Sequence, residues 1–374
     1  MTLSKKKFEL SWCKNCLNNS LRPRISFDER GWCNACQWME EKKKINWNSR
    51  KKEFKKIVKQ YKSNSIYDCI VPVSGGKDGS YVASQIRDKL GLNPLTITSR
   101  PPLELDVGKK NLLNFLKYNY DHVHITPNYK AMQTLNKLGF IKKGSPYYGW
   151  LTSIYSTVIR VALQNDINLI VYGENGEIEY GGSTKNKNKP IFDSNYMIST
   201  YIEGGYDQII KQSKLTKDEM FWFDFPMKEI KKKKIGLTHW SYFEPWDPYR
   251  NYLYAKSKFK LDEHKQNSVG TFTNFAQNDQ SLMALHTYMM YLKFGFGRAT
   301  QDAGIEIRRG AMTRDQGLNL VKLYDNHYPV EFIDQYLDYF QMKKKEFDKI
   351  IDFWANKKIF KKSKGIWVPK FIIK

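Results

Sequence analysis

The sequence lacks the long apolar run that a membrane-spanning helix requires. None of its segments approaches the roughly 18 uninterrupted apolar residues of such a helix. Lys5, Lys6 and Lys7 lie near the N-terminus, but no apolar signal core follows them. We therefore expect a cytoplasmic protein with no membrane partner.

Acidic residues are few relative to basic ones. The 374 residues include 62 Lys or Arg and 38 Asp or Glu, so the formal net charge is +24. This surplus is compatible with nucleic acid, with an anionic substrate, or with solvated lysine-rich faces such as residues 231–234. The charge favours an anionic substrate over a cationic one and keeps nucleic acid as an alternative.

Cysteine is also scarce, and the five cysteines do not form a disulfide framework for a chain of this length. Four occur as Cys13-x-x-Cys16 and Cys33-x-x-Cys36, with sixteen residues between the pairs. This spacing is typical of a structural zinc knuckle, in which four thiolates fill the coordination sphere of Zn²⁺. Cys69 lies within an apolar run and is expected to be a packed core thiol.

Strand and helix patterns alternate after the cysteines. Short segments at 68–73, 95–98, 122–125 and 169–172 have strand patterns and predict four strands, and helical spacing occurs between them. This alternation predicts an α/β fold with a parallel sheet flanked by helices. The alternation of strand and helix patterns stops between about 180 and 206. This interruption predicts either a mobile lid or a long surface insertion.

A glycine-rich loop follows the first predicted strand, with the sequence Ser74-Gly75-Gly76-Lys77-Asp78-Gly79-Ser80. Glycines let backbone N–H groups approach an anion, the next helix contributes its dipole, and Lys77 contributes a charge. Asp78 is compatible with phosphates if it holds Mg²⁺. The Walker pattern is absent. The loop therefore predicts a non-Walker ATP site that uses all seven residues.

Two further loops are expected at the same edge of the sheet, because ligands of parallel sheets bind beyond the carboxyl ends of the strands. Thr98 ends the second predicted strand and is a candidate contact for adenine or ribose. Glu174 follows the fourth strand and is a candidate partner of Asp78 in holding Mg²⁺.

The loop resembles the PP-loop signature Ser-Gly-Gly-x-Asp-Ser of ATP pyrophosphatases, which include lysidine synthase, NAD synthetase and tRNA thiolation enzymes. It departs from that signature at Gly79, where the family usually has Ser. The resemblance implies a PP-loop or HUP-like fold in which ATP adenylates a carbonyl-type oxygen and pyrophosphate leaves. Lys77, Asp78 and Glu174 would then be catalytic.

Four segments in chain order resemble one family more closely, the N-acetyl sugar amidotransferases of pseudaminic acid, legionaminic acid and lipopolysaccharide pathways. They are residues 13–36, 74–80, 173–182 and 286–300. The resemblance implies that ammonia replaces the adenylated oxygen of an acetamido group, on a nucleotide-activated acidic sugar, to give an acetamidino group. It also implies a separate glutaminase subunit, docked on a cyclase-like companion as in histidine biosynthesis.

The same resemblance suggests residues that contact the sugar. Arginine favours bidentate contacts with anions. A position on a solvated helical face is an equally good interpretation of the three arginines. The candidates are Asn175, Glu179, Tyr180, Arg298, Arg308 and Arg309.

These patterns divide the chain into three parts. We expect a zinc knuckle at 1–45, an ATP-binding α/β domain at 46–265, and a helical C-terminal region at 266–374 for substrate or partner contacts. The main alternative function is a tRNA-modifying PP-loop ATPase of the thiolation or lysidine type, suggested by the charge and the knuckle. A zinc-stapled interaction subunit without activity is a third hypothesis. The ordered motifs favour the sugar amidotransferase, and the buried position expected for Cys69 disfavours sulfur transfer.

Overall fold

The computed structural model describes residues 10–202 and 206–373. Its strands are β1 (Cys69–Pro72), β2 (Pro94–Ser99), β3 (His122–Ile125), β4 (Leu169–Tyr172), β5 (Gly236–His239), β6 (Phe360–Ser363) and β7 (Ile366–Pro369).

Helices connect and flank these strands. The first eight are α1 (Asn34–Lys42), α2 (Trp47–Gln60), α3 (Lys77–Ser84), α4 (Asp106–Leu116), α5 (Tyr129–Lys143), α6 (Tyr148–Gln164), α7 (Gly176–Tyr180) and α8 (Ser194–Tyr201). The others are α9 (Tyr206–Ser213), α10 (Met227–Lys233), α11 (Pro248–Phe259), α12 (Leu282–Phe294), α13 (Arg298–Arg308), α14 (Arg314–Tyr324), α15 (Ile333–Phe340) and α16 (Lys344–Trp354). Short turns of other helix types occur at Gln85–Lys89, Trp240–Tyr242 and Val330–Phe332.

Five of the strands described in these ranges form one sheet in the order β3-β2-β1-β4-β5, and all its pairs are parallel. The predicted α/β fold with a parallel sheet flanked by helices is therefore confirmed. The chain builds β1, β2 and β3 outward in one direction, then returns to place β4 on the other side of β1. A sheet of this kind opens a crevice between the two strands where the direction reverses, here β1 and β4.

Strand β5 was not among the predicted strands. Its four residues are all buried, but they follow a lysine-rich helix and include Gly236 and His239, which weakens the strand pattern. Pairing with β4 along its full length stabilises the strand, with Val171 opposite Thr238. Tertiary pairing, and not local propensity, decides the conformation of this segment.

Adjacent residues of β1 supply opposite faces of the sheet. Ile70 packs in a core with Leu135 of α5 and Ile159 of α6. Val71 packs in a second core with Phe54 of α2 and Val82 of α3. Because both faces are covered by helices, the strand is apolar throughout rather than alternating.

The C-terminal region has its own apolar core, in which Leu285 of α12 packs with Phe340 and Phe347. The chain after about residue 282 was expected to be helical to near its end, and near that end β6 and β7 form an antiparallel hairpin that was not predicted. Lys364 and Gly365 both have positive φ, as a type I′ hairpin turn requires. The aromatic and β-branched run after that turn has the composition of a strand.

The segment predicted as a lid or insertion is partly folded. Phe192 donates its N–H to the carbonyl oxygen of Leu237 in β5, and Met197 of α8 is fully buried. Gly204 and Gly205, which bracket the segment in the sequence, lie outside the described residues. Among the residues that are described, none of the helices combines the length and apolar character needed to cross a membrane.

Candidate active site

The glycine-rich loop connects β1 to α3 at the crevice between β1 and β4. Gly75 has a φ of 81°, and a Cβ atom there would collide with the backbone of Leu112. Helix α3 begins at Lys77, and its cap residue Gly76 makes no side-chain hydrogen bond to the helix. The first N–H groups of α3 therefore remain open to an anion.

Gly79 explains the departure from the usual signature. A Cβ atom at this position would lie 2.5 Å from the carbonyl oxygen of Pro72 and 3.0 Å from the Cα of Val73. Helix α3 thus packs against the end of β1 too closely for a side chain. Serine at position 79 is incompatible with this packing, whereas the neighbouring Ser80 is buried in α3.

Lys77 and Asp78 form an ion pair at the start of α3, and the Lys77 side chain is largely buried. The Asn251 side chain in α11 donates a hydrogen bond of 3.0 Å to Asp78 Oδ1. These contacts orient the carboxylate of Asp78 at the N-terminus of the helix. Sequence reasoning did not identify Asn251, because it lies 173 positions away in the chain.

Glu174 follows β4 and faces the loop across the crevice. Burial raises the pKa of Glu174, and the nearby negative charge of Asp78 raises it further. The hydroxyl of Tyr180 donates a hydrogen bond of 3.1 Å to Glu174 Oε1. Two carboxylates brought together in this way favour a cation between them, so Asp78 and Glu174 fit the predicted Mg²⁺.

These residues line a cavity of about 300 Å³. The residues predicted from the sequence that line it are Ser74, Gly76, Lys77, Asp78, Gly79, Glu174, Tyr180 and Arg298. Arg298 begins α13, and its Nε donates to Asp302 at 2.8 Å. The fold therefore brings Ser74 and Arg298, which are more than 200 residues apart in the sequence, to the same cavity.

The other ATP candidate, Thr98, lies elsewhere. Its side chain is buried, and its hydroxyl donates to the carbonyl oxygen of Val73. This bond joins β2 to the end of β1 and leaves Thr98 outside the lining of the cavity. Thr98 therefore stabilises the start of the glycine-rich loop and does not face the cavity.

Two of the residues predicted to contact the sugar lie at α7 and form hydrogen bonds within the protein. Asn175 caps α7 by accepting a hydrogen bond from the N–H of Glu177 at 3.2 Å. Glu179 accepts from Trp38 Nε1 at 2.9 Å and from Lys42 Nζ at 2.7 Å. Neither residue lines the cavity that contains the loop.

The last two arginine candidates also lie outside that cavity. Arg308 donates to the carbonyl oxygen of Glu179 at 3.1 Å. Arg309 donates to Glu306 at 2.7 Å and is 3.8 Å from Asp247. Helix α13 thus directs Arg298 to the cavity and the two arginines at its far end elsewhere, because they lie about three turns along the helix.

Sequence reasoning missed several residues of the cavity. Asn111 comes from α4, and Asn278 and Asp279 come from the segment before α12. Burial raises the pKa of Asp279 to about 6. The consecutive polar side chains at 277–280 were a usable signal, because a run of amides and carboxylates beside an apolar helix requires buried partners.

The four cysteines of the N-terminal motif are fully buried and form one cluster. The Sγ–Sγ distances are 3.7 Å for Cys13 and Cys36, 3.6 Å for Cys16 and Cys33, and 3.7 Å for Cys33 and Cys36. Tetrahedral Zn²⁺ with bonds of about 2.3 Å separates its sulfur ligands by about 3.8 Å. The cluster therefore fits the predicted Zn²⁺.

The cysteine cluster docks directly onto α7. The side-chain amide of Asn18 donates to Cys33 Sγ at 3.4 Å and to the carbonyl oxygen of Tyr180 at 3.0 Å. Arg24 forms a two-point ion pair with Glu177, at 2.7 Å and 2.6 Å. The knuckle therefore holds the short helix that carries Tyr180 into the cavity.

Residues 269–372 match the family model described as LPS biosynthesis protein WbpG-like, C-terminal domain. This region is less than a third of the chain, and it supplies Asn278, Asp279 and Arg298 to the cavity. No curated protein matches the chain.

One solved structure to which the chain is similar is the NH3-dependent NAD synthetase from Campylobacter jejuni subsp. jejuni NCTC 11168 in complex with the nitrate ion. The identity is 16%, and the alignment covers 58% of this chain and 94% of that chain. The TM-score is 0.28.

Proposed function

We propose that the chain is an ATP-dependent amidotransferase of bacterial surface-glycan biosynthesis. In this proposal it converts an acetamido group of a nucleotide-activated, acidic N-acetyl sugar into an acetamidino group. ATP adenylates the amide oxygen and releases pyrophosphate, and ammonia then displaces AMP from the amide carbon. The match of residues 269–372 to an LPS biosynthesis domain supports the pathway.

The observation that carries the proposal is the composition of the 300 Å³ cavity. One wall is the anion-binding loop with Lys77 and Asp78, and Glu174 stands across the crevice. The opposite wall, with Asn278 and Arg298, comes from the region that matches the LPS biosynthesis domain. The proposed nucleotide site therefore shares one space with residues from the region that matches the LPS biosynthesis domain.

The residues of the loop would act on the departing pyrophosphate. The open N–H groups of α3 and the ammonium of Lys77 stabilise the negative charge that develops as it leaves. Asp78 and Glu174 would hold Mg²⁺, which neutralises phosphate charge when bound. Arg298 would position the acceptor or its phosphates, because its guanidinium lines the same cavity.

Sulfur transfer is disfavoured by the cysteines. Cys69 is fully buried in β1, and burial raises the pKa of its thiol. The other four thiols lie in the buried cluster. A sulfur carrier needs an accessible thiolate, so the geometry supports ammonia as the nucleophile over sulfide.

We propose that ammonia comes from a separate glutaminase subunit, with a cyclase-like companion. A cysteine-dependent glutaminase needs an exposed nucleophilic thiol, and all five cysteines of this chain are buried. Free ammonium at high concentration would then replace the glutaminase in the test tube.

The proposal is tested by incubating the purified protein with ATP, Mg²⁺, ammonium and nucleotide-activated N-acetyl sugars. We expect AMP and pyrophosphate to appear in equal amounts, and only when the sugar is present. Mass spectrometry should find the product one mass unit lighter than the acetamido sugar, because NH replaces O. Absence of sugar-dependent AMP with every such sugar would overturn the proposal.

A tRNA-modifying activity is the competing outcome of that experiment. It predicts that AMP release depends on tRNA and that binding weakens steeply with salt. Adding tRNA or N-acetyl sugar in parallel reactions therefore decides between the two functions with the same readout.

A further inference from the structure

A second cavity lies beside the first, separated from it by the segment Gln277–Gln280. Its volume is about 340 Å³, and Gln277 lines both cavities. The segment is held on both sides, because the Ser268 hydroxyl donates to Ala276 O at 2.9 Å and Leu105 N–H donates to Asp279 O at 3.0 Å. It therefore forms a partition between the two spaces, and Gln277 borders both of them.

The partition contains amide groups without partners. Gln280 is only 1% exposed, and neither its Oε1 nor its Nε2 has a hydrogen-bond partner among the described residues. The same holds, within the described parts of the chain, for both amide atoms of Asn278 and for Nε2 of Gln277. Buried amides are normally satisfied, so this concentration within four residues indicates hydrogen bonds made to a ligand.

The lining of the second cavity is neutral and polar. Gln280, Ser268 and Ser281 form its buried part, and the aromatic ring of Phe332 forms part of its wall. Burial lowers the pKa of His264, which keeps its imidazole uncharged at neutral pH. The charged side chains that line the cavity, Lys265 and Glu331, are exposed and of opposite sign.

This chemistry differs from that of the first cavity, in which Lys77 and Arg298 favour an anion. Amides that donate and accept, together with an apolar ring, suit a neutral group that has hydroxyls, an amide and apolar C–H faces. A sugar ring with an acetamido substituent has all of these features.

We propose that the second cavity binds the ring and acetamido group of the acceptor sugar, with Gln280 and Gln277 as its hydrogen-bonding residues. Gln277, which lines both cavities, would contact the acetamido oxygen where it faces the nucleotide. This inference rests on the proposed function, because that function requires an acetamido acceptor beside ATP. It adds the residues that recognise the acceptor.

The test is saturation-transfer NMR on the full chain, with N-acetylglucosamine and N-acetylneuraminic acid as probes. We expect transfer to the acetamido methyl protons of at least one probe, and at least a fivefold loss of that signal in Gln280→Leu. The matched control, Gln164→Leu, changes an exposed glutamine at the end of α6 and should retain the signal. Absence of transfer from both probes, or an unchanged signal in Gln280→Leu, would overturn the proposal.

The adenine of ATP is the other neutral group that carries donors and acceptors. Calorimetric titration with a non-hydrolysable ATP analogue and Mg²⁺ distinguishes it. If the cavity binds the sugar, the affinity for the analogue in Gln280→Leu stays within about twofold of the wild-type value. A selective loss of nucleotide affinity would assign the cavity to adenine and overturn the sugar assignment.

Gln277→Leu provides a second variant if Gln280→Leu does not fold. Gln277 is only partly buried, so its replacement disturbs the core less, and thermal unfolding checks both variants. Loss of the acetamido signal in folded Gln277→Leu supports the proposal, and full retention contradicts it. The binding site and the reaction can fail separately. If the acetamido signal depends on Gln280 or Gln277 but no sugar-dependent AMP is released, the proposed reaction is wrong and the proposed binding site is retained.

Discussion

The side-chain amide of Asn18 donates to the carbonyl oxygen of Tyr180 at 3.0 Å and, in the same position, to Cys33 Sγ at 3.4 Å. One residue thus joins the cysteine cluster to the end of α7. Tyr180 in turn donates to Glu174 across the cavity. The cluster is therefore connected to Glu174 in the candidate active site through three hydrogen bonds, although it contributes no residue to the lining of the cavity.

Loss of zinc should therefore remove activity as well as stability. We expect the purified chain to contain one zinc ion, measured by plasma emission spectroscopy, and Cys33→Ser to lose it. Its melting temperature and its sugar-dependent AMP release should both fall, because the knuckle no longer holds α7. Cys69→Ser is the matched control and should retain zinc. Full activity in zinc-free Cys33→Ser would contradict the connection.

Asn18→Ala should separate the structural role of the metal from its effect on the site. The four thiols remain, so the zinc content should be unchanged. Loss of the bond to Tyr180 removes about 0.5–1.5 kcal/mol of stabilisation, so we expect AMP release to fall by roughly twofold to tenfold. Steady-state kinetics with measured zinc content checks this. An unchanged rate would mean that α7 keeps its position without this contact.

Asp78→Asn should abolish turnover while the fold survives. The replacement has nearly the same shape but carries no charge to hold Mg²⁺, and we expect AMP release to fall by about a hundredfold or more. Asp262→Asn, which removes a surface partner of Lys110, serves as the control and should remain active. Isothermal titration should show weakened Mg²⁺-nucleotide binding in Asp78→Asn alone. Equal activity of both variants would remove Asp78 from the mechanism.

Gly79→Ala should destabilise the protein, contrary to the usual effect of alanine in a helix. The added Cβ would lie 2.5 Å from the carbonyl oxygen of Pro72, and overpacking of this kind costs about 1–3 kcal/mol. Gly176→Ala in α7 is the control, because its Cβ would make only ordinary contacts of 3.5 Å or more. Chemical denaturation should show a loss of stability in Gly79→Ala only. Equal stability of the two variants would contradict the tight packing of α3 on β1.

Glu174→Gln should stabilise the fold at neutral pH while it lowers activity. The native pKa of Glu174 is raised by its burial and by Asp78, so the folded state holds its proton more tightly than the unfolded state. Its unfavourable contribution is absent well below the ordinary pKa of about 4.3, grows as the pH rises from there to the raised native pKa, and is constant above it.

The melting temperatures of wild type and Glu174→Gln, measured across pH without Mg²⁺, test this prediction. They should agree near pH 4 and diverge as pH rises, with the variant the more stable protein. Sugar-dependent AMP release should also fall in acid at a higher pH than for an ordinary carboxylate, since protonation removes the Mg²⁺ ligand. A variant less stable than wild type at neutral pH would mean that the carboxylate of Glu174 is favourably held.

Much of the fold was predictable from the sequence. The four predicted strands are present. Strands β1 and β4 are apolar runs whose two faces are both covered, whereas the edge strand β3 alternates His with Val and Ile. Strand β5 and the hairpin of β6 and β7 were missed. Strand β5 forms through pairing with β4, which its local composition indicates weakly, whereas the composition after the turn at 364–365 was a usable signal for the hairpin.

The candidate site divides in the same way. Lys77, Asp78 and the loop glycines were predictable because their spacing along seven residues already defines a phosphate-binding geometry. Glu174 followed from the rule that parallel strands present their carboxyl ends together. Arg308 and Arg309 were not separable from Arg298 in the sequence, since the direction of each side chain depends on how α13 packs.

The sequence by itself determined the local chemistry of this protein: four cysteines spaced for one metal and a loop whose backbone and Lys77 suit phosphate. Short motifs carry that information because their geometry is set by covalent spacing. Only the tertiary structure decided that the cysteine cluster holds α7, that Asn278 and Asp279 line the cavity with the glycine-rich loop, and that unpartnered amides separate this cavity from a second one. These relationships join residues more than 100 positions apart, and packing of the helices on the sheet determines them.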